Sequence, residues 1–203
     1  MMLPKKIIGL ALGVTLWVGG ISAAFCALQR YSVADGAARP PSDKTAAFFA
    51  AHRQHGRPLL VMAVHPLCPC TDASLDELGD LLARSHGACD ALLLQYQPLE
   101  GTPDWPVDTA LRKLGGVGVK VVLDQGGKIA AEFGAETSGH VVFMDANGII
   151  RFHGGLTIAR GHHGRSQSQD AILEILGGGR PVLASAPVFG CALESECTPT
   201  NTR

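Results

Sequence analysis

From Ile7 to Leu28 the chain runs 22 residues, IIGLALGVTLWVGGISAAFCAL, without a single charge. No other feature restricts its fold as much. As a helix at about 1.5 Å per residue the run is about 33 Å long, which matches a hydrocarbon core of about 30 Å, so one transmembrane helix is expected. Lys5 and Lys6 precede it and Arg30 follows. The positive-inside rule then keeps the short N-terminus in the cytoplasm and sends the rest across. The expected location is a bacterial-type inner membrane, single-pass, with a periplasmic C-terminal domain. A cleaved signal peptide is the alternative, since Ser22 and Ala24 offer small residues before a cut, but the run exceeds the usual stretch of about 7–15 apolar residues. Cys26 follows Phe25 and reads as an apolar membrane residue.

The remainder of the 203 residues suffices for one ordinary domain. With 17 Lys and Arg against 18 Asp and Glu, the net charge of −1 lacks the basic footprint that nucleic-acid binding requires. An apolar share of 46% excludes disorder for most of the chain. Six cysteines are too few for a disulfide scaffold but enough for a redox pair or a metal site.

Four segments are expected: residues 1–29 as anchor or signal segment, 30–42 as a linker around Pro40-Pro41, 43–180 as the domain, and 181–203 as a cysteine-containing tail. Ser42 can cap a helix that runs to about His52. Pro58–Val64 is a short apolar run without polar alternation, as in a strand covered on both faces. Leu75, Leu78, Leu81 and Leu82 recur at helical spacing, so a helix is expected over Ser74–Arg84, starting anywhere from Pro69 to Leu75. A strand at Ala91–Gln97, a helix near Val107–Leu114, a strand at Val117–Leu123 and a short helix near Ile129–Phe133 continue a βαβ pattern. His140–Met144 and Ile149–His153 flank Asp145-Ala-Asn-Gly148, a hairpin signal. A helix at Ser166–Leu176, stopped by Gly177-Gly-Gly179, closes the series.

This order of elements is that of a thioredoxin-like fold. The stretch PLLVMAVHPLCPCTDASLDEL resembles the strand, cysteine motif and helix of thioredoxin-like proteins. VVLDQGGKIAAEFGAETSGHVVFMDANGIIRFHGG resembles the second half of membrane-anchored thiol-disulfide oxidoreductases and of peroxiredoxin-type domains. The His-Pro-x-Cys-Pro-Cys element and the late Val-Phe-Gly-Cys segment are also similar to those of the little-characterised RedB-like group. The resemblance covers about residues 43–180 and implies an α/β fold with a central mixed sheet flanked by helices. It further implies exchange with protein thiols and disulfides, cysteine nucleophiles at Cys68 and Cys70, and no cofactor. Two departures stand out. One residue, Pro69, separates the cysteines where the family has two, and Gly139 occupies the place of the family's cis-proline.

Residues two apart on a helix do not face each other, and on an extended strand their Cα separation approaches the upper limit for a disulfide, about 6.8 Å. Only a turn bridges them easily. Pro69 disfavours helical geometry at Cys68, which suggests Cys68 as N-cap, Pro69 as first helical residue and Cys70 inside the first turn. The positive helix end then favours thiolate, and a Cys68–Cys70 bond is expected to be strained and oxidising. Cys68, nearer the exposed turn, is the expected attacking thiolate and Cys70 the resolving thiol. His65, Thr71, Gly139 and His140 are expected neighbours that tune the pair. Cys89 and Cys191 are further candidates for resolving cysteine. Cys89 reads equally well as a small core residue, and Cys191 as half of a tail disulfide with Cys197.

Three rival readings use the same residues. His65, Cys68 and Cys70, with His140 facing the turn, offer soft and borderline ligands for copper or zinc in a binding or delivery protein. A thiol peroxidase needs a nearby Thr and Arg, for which Thr71 and Arg160 are available. A noncatalytic regulatory module fits the altered cysteine spacing. His86 with Cys89 and the His162-His163 pair read best as loop residues.

Overall fold

The computed structural model describes residues 4–42, 44–54, 56–99, 105–106, 114 and 118–194. They fall into two compact units, Met1–Ala34 and Asp35–Arg203. The first is a single helix, α1, Lys5–Ser32. Ile7, Leu10, Leu16, Trp17 and Phe25 along it are exposed. By length and composition it is a candidate membrane span, since a helix apolar all round belongs in lipid or in a core.

The second unit is built on the apolar runs. α2 (Lys44–His52), β1 (Leu59–Val64), α3 (Thr71–Arg84), β2 (Asp90–Gln97), β3 (Lys120–Gln125), α4 (Lys128–Glu132), β4 (His140–Met144), β5 (Ile150–Gly155) and α5 (Gln167–Leu176) follow in chain order. The five strands form one sheet in the order β3-β2-β1-β4-β5. β1 pairs in parallel with β2, β2 in parallel with β3, and β4 antiparallel with β1 and β5. A parallel half joined to an antiparallel hairpin through the central β1 is the thioredoxin-like arrangement. All six residues of β1 are buried, as a strand between two helical layers requires.

Alternation along β1 and β4 divides the core. Leu60, Met62, Val64, Val141 and Phe143 meet Leu75, Leu78 and Leu81 of α3 and Ile172 of α5. Leu59, Val61, Ala63, Val142 and Met144 meet Phe49 of α2 and Phe133 after α4 on the other side. The hairpin forms at the expected place. Asp145 accepts backbone N–H bonds from Asn147 and Ile149, each 2.9 Å, and pairs with Arg151 at 2.6 Å. Burial opposes ionisation of Asp145, but these donors outweigh it and hold its carboxyl below the usual range. The Ser166 hydroxyl caps α5 through Gln169 N–H, 3.3 Å.

Two boundaries differ from the sequence expectation. The third strand is Lys120–Gln125 rather than Val117–Leu123, because Gly118 has φ +70 and ends the approach before pairing begins. Asp35–Ser42 is not a separate linker. Gly36 N donates to Val188 O (2.7 Å), Arg39 N to Gly134 O (2.8 Å), Thr137 Oγ1 to Ala37 O (2.8 Å) and Ser42 Oγ to Glu132 O (2.8 Å). These bonds make the segment part of the second unit. The helix expected near Val107–Leu114 lies outside the described residues except for Leu114, which is buried in the core.

Candidate thiol site

Two prolines shape the chain between β1 and α3. Cys68 N donates to His65 O (3.1 Å) and Thr71 N to Cys68 O (3.0 Å), so HPLC and CPCT are successive turns. Pro66 and Pro69 each occupy the second position, where a fixed φ suits a type I turn. Cys70 therefore becomes the N-cap of α3, with φ −74 and ψ −16, in place of Cys68, the expected N-cap. The proline pair delays helix entry to Thr71.

This corrects the exposure of the pair. Cys68 is buried, with 4% of its surface exposed, while Cys70 is partly exposed. Cys70, not Cys68, is the sulfur nearer solvent. The two thiols lie close enough across the turn to influence each other's ionisation. Burial, followed by the neighbouring Cys68 thiol, pushes the Cys70 pKa up, and the positive charge of Arg160 and the backbone N–H of Gly161 act in the opposite direction without cancelling it.

Ser138, which the sequence reading did not single out, locks the turn to the segment before β4. Its Oγ accepts from His65 N (2.9 Å) and lies 2.8 Å from Thr71 Oγ1, which donates to His65 O at 2.8 Å. A hydroxyl has one proton, so Ser138 must donate to Thr71 and the three bonds close a buried ring. The Thr71 proton is committed to His65 O. That removes the donor a peroxidase would need from Thr71.

Gly139 follows, with φ +91, and donates its N–H to Ala63 O at 2.8 Å. A side chain there would press against Ser74 of α3. His140 opens β4 opposite Ala63 and is 1% exposed. It was expected to face the cysteine turn. Strand alternation instead puts it on the side of Val142 and Met144, away from α3, with its ring centroid 6.1 Å from that of His153. Neither ring nitrogen of His140 has a hydrogen-bond partner among the described residues. Burial, reinforced by His153, lowers its pKa to about 4. His65 stacks on Tyr96 (5.2 Å, 18°) and meets Trp105 edge-on (5.5 Å), while its Nδ1 accepts from Leu67 N at 3.2 Å. Its ring braces the turn. Among the described residues no three His, Cys, Asp or Glu side chains converge as a metal-binding group, so His65, Cys68, Cys70 and His140 are not gathered into one ligand set.

The two resolving candidates separate cleanly. Cys89 lies beyond the far end of α3, buried against Ser85, and fourteen helical residues put about 21 Å between the helix ends. Burial also pushes its pKa up. It is a core residue. Cys191, by contrast, has its backbone N–H 3.4 Å from the Cys68 sulfur. Cys197 lies outside the described residues.

A loop after β5 forms the other wall. Arg160 donates to Gly190 O, His163 Nδ1 lies 3.2 Å from Asp76 of α3, and Gly164 N–H bonds the buried carboxylate of Glu77. Arg160 and Gly161 reach the site only because this loop folds back over α3.

No family model and no curated protein matches the sequence. A hypothetical protein of Sinorhizobium meliloti 1021 superposes with a TM-score of 0.59 at 17% identity, covering 82% of this chain and 93% of that one. An uncharacterized conserved protein from Geobacillus kaustophilus gives 0.58 at 14% identity, covering 82% and 92%. These two likenesses concern the fold. A secreted Mycobacterium tuberculosis disulfide oxidoreductase homologous to E. coli DsbE matches with a TM-score of 0.42 at 18% identity, covering 61% of this chain and 83% of that one.

Proposed function

We propose that this thioredoxin-like chain exchanges thiols and disulfides with protein substrates, held by α1 at the outer face of a bacterial-type inner membrane. The observation that carries this reading is the placing of two cysteines on one turn at the start of α3, with Cys68 buried and Cys70 partly exposed. Cys70 is the attacking group and Cys68 the resolving one. In the reductive direction the Cys70 thiolate attacks a substrate disulfide, a mixed disulfide forms, and one substrate thiolate leaves. Cys68 then attacks the Cys70 sulfur. The second substrate thiolate leaves, and the two electrons gained by the substrate come from the Cys68 and Cys70 thiols, which are oxidised to a disulfide. No cofactor enters these steps, because sulfur carries both electrons. A Cys70 thiol whose pKa is raised lacks the thiolate stabilisation that makes a dithiol pair a strong oxidant, which favours reduction of substrate disulfides.

The test is redox titration of the full chain, purified in detergent, against glutathione buffers, with alkylation and peptide mass mapping as readout. Reversible oxidation involving Cys68 or Cys70, with substrate reduction lost in Cys70→Ser and a trapped mixed disulfide in Cys68→Ser, is the expected result. Full activity in both variants would overturn the proposal.

A further inference from the structure

We propose that the strap Ala184–Leu193 is a built-in occupant of the thiol site and that Cys191 is its third redox cysteine, forming a Cys68–Cys191 bond that leaves Cys70 a thiol. The inference rests on the thiol-exchange reading and names what happens after the first disulfide has formed.

The strap is held along its length by backbone. His153 N donates to Ala184 O (3.1 Å), Ala186 N to His153 O (3.2 Å) and Gly155 N to Pro187 O (3.2 Å), which adds the strap to the outer edge of β5. It then crosses to the segment before β4. Ser138 N donates to Cys191 O (2.9 Å) and Leu193 N to Glu136 O (2.8 Å), with an antiparallel bridge between Thr137 and Ala192. Arg160, the cation beside Cys70, bonds Gly190 O. Residues 136–138, β5 and Arg160 thus grip one segment. The fit depends on missing side chains: a Cβ on Gly155 would stand 2.7 Å from Pro187 O, and one on Gly154 or Gly190 would collide with Ala186 or with Ser138 O.

Residues 136–138 offer the backbone edge beside Cys68, and an extended peptide pairing there gains main-chain hydrogen bonds. The chain fills that edge itself. Doing so brings the Cys191 N–H to 3.4 Å from the Cys68 sulfur. With an N–Cα bond of about 1.46 Å, the Cys191 Cα lies within about 5 Å of that sulfur, close to the span that a cysteine side chain and an S–S bond of about 2 Å bridge. No such approach exists for Cys89, at the far end of α3.

The exchange conserves electrons. The Cys191 thiolate, its proton lost to water, attacks the Cys68 sulfur of a Cys68–Cys70 disulfide. The Cys68–Cys191 bond forms, the Cys68–Cys70 bond breaks, and its electron pair leaves on Cys70, which takes up a proton. The disulfide moves from the Cys68-Pro69-Cys70 turn to a long-range tether, and the partly exposed sulfur is restored as a thiol.

The experiment oxidises the full-length chain in detergent with glutathione disulfide, blocks remaining thiols with iodoacetamide, and maps peptides after cleavage that includes Glu194, which separates Cys191 from Cys197. Expected is a Cys68–Cys191 disulfide in most molecules, with Cys70 alkylated at least tenfold more than either. Gly190→Ala, which displaces the strap without touching a sulfur, should shift the bond to Cys68–Cys70. A wild-type Cys68–Cys70 bond with Cys191 alkylated would overturn this inference and leave the exchange reading intact. The same pairing in Gly190→Ala as in wild type would overturn the role of the strap. Resistance of all three cysteines to glutathione disulfide would sink both proposals.

Discussion

A Cβ on Gly139 would stand 2.6 Å from the hydroxyl oxygen of Ser74, so the entry to β4 touches the first turn of α3 through an absent side chain. With φ +91, Gly139 also holds a backbone shape that other residues adopt only under strain. Replacing it affects both the contact and the backbone. Gly139→Ala is expected to lower stability by about 1–3 kcal/mol. Gly139→Pro should cost more, since proline fixes φ near −65° and deletes the N–H bonded to Ala63 O. Urea unfolding of both variants tests this, and a proline variant as stable as wild type would refute it.

Reactivity at Cys70 should climb with pH. Burial and the Cys68 thiol hold its pKa above the ordinary cysteine value of about 8.5, so little thiolate exists at neutral pH. The iodoacetamide rate at Cys70 in the reduced chain is expected to rise nearly tenfold per pH unit up to at least pH 8.5. Arg160→Gln should slow it about two- to tenfold at pH 7.5, because the cation favours thiolate. A rate that levels off below pH 8 would contradict the assignment.

His140 makes the domain acid-sensitive. Its pKa is lowered to about 4 in the folded protein, against about 6.5 unfolded. Between those values the unfolded chain binds the extra proton, so stability is full above pH 6.5 and falls as pH drops towards 4. The full loss is about 3 kcal/mol at about 1.4 kcal/mol per unit. His153, its ring neighbour, is shifted in the same direction by burial and adds to the trend. His140→Leu should flatten the stability profile over this window, measured by urea midpoints at pH 4.5 and 7.5. An unchanged slope would show that His140 is already charged.

Membrane placement is checked by topology. Alkaline phosphatase fused after Glu194 should be active, and the fusion should resist extraction with alkaline carbonate. Activity restricted to a fusion at the N-terminus would reverse the expected orientation, which rests on Lys5 and Lys6 lying before the apolar run.

The elements legible in the sequence were those encoded by local periodicity. The leucines of α3, the continuous apolar run of β1 and the Asp145–Gly148 turn each carry their pattern within a few residues, and each appears where expected. The place of Cys-Pro-Cys between a strand and a helix was equally legible, because the apolar run before it and the leucine spacing after it fix both neighbours. A central mixed sheet was expected from the resemblance, while its strand order came from the structure.

Which sulfur faces water was decided only by the tertiary structure. Two consecutive proline turns and a segment 123 positions away determine the burial of Cys68. The same holds for Ser138, 67 positions from Thr71, and for Arg160, held by Gly190 30 positions on. His140 shows the converse. Its place at the start of β4 was readable, but the face it occupies depends on strand register, and a one-residue change in register exchanges the two faces of a sheet. Local order in the chain sets secondary structure and the kind of chemistry available. Contacts between distant segments assign the roles, because burial, charge and hydrogen-bond partners exist only once those segments meet.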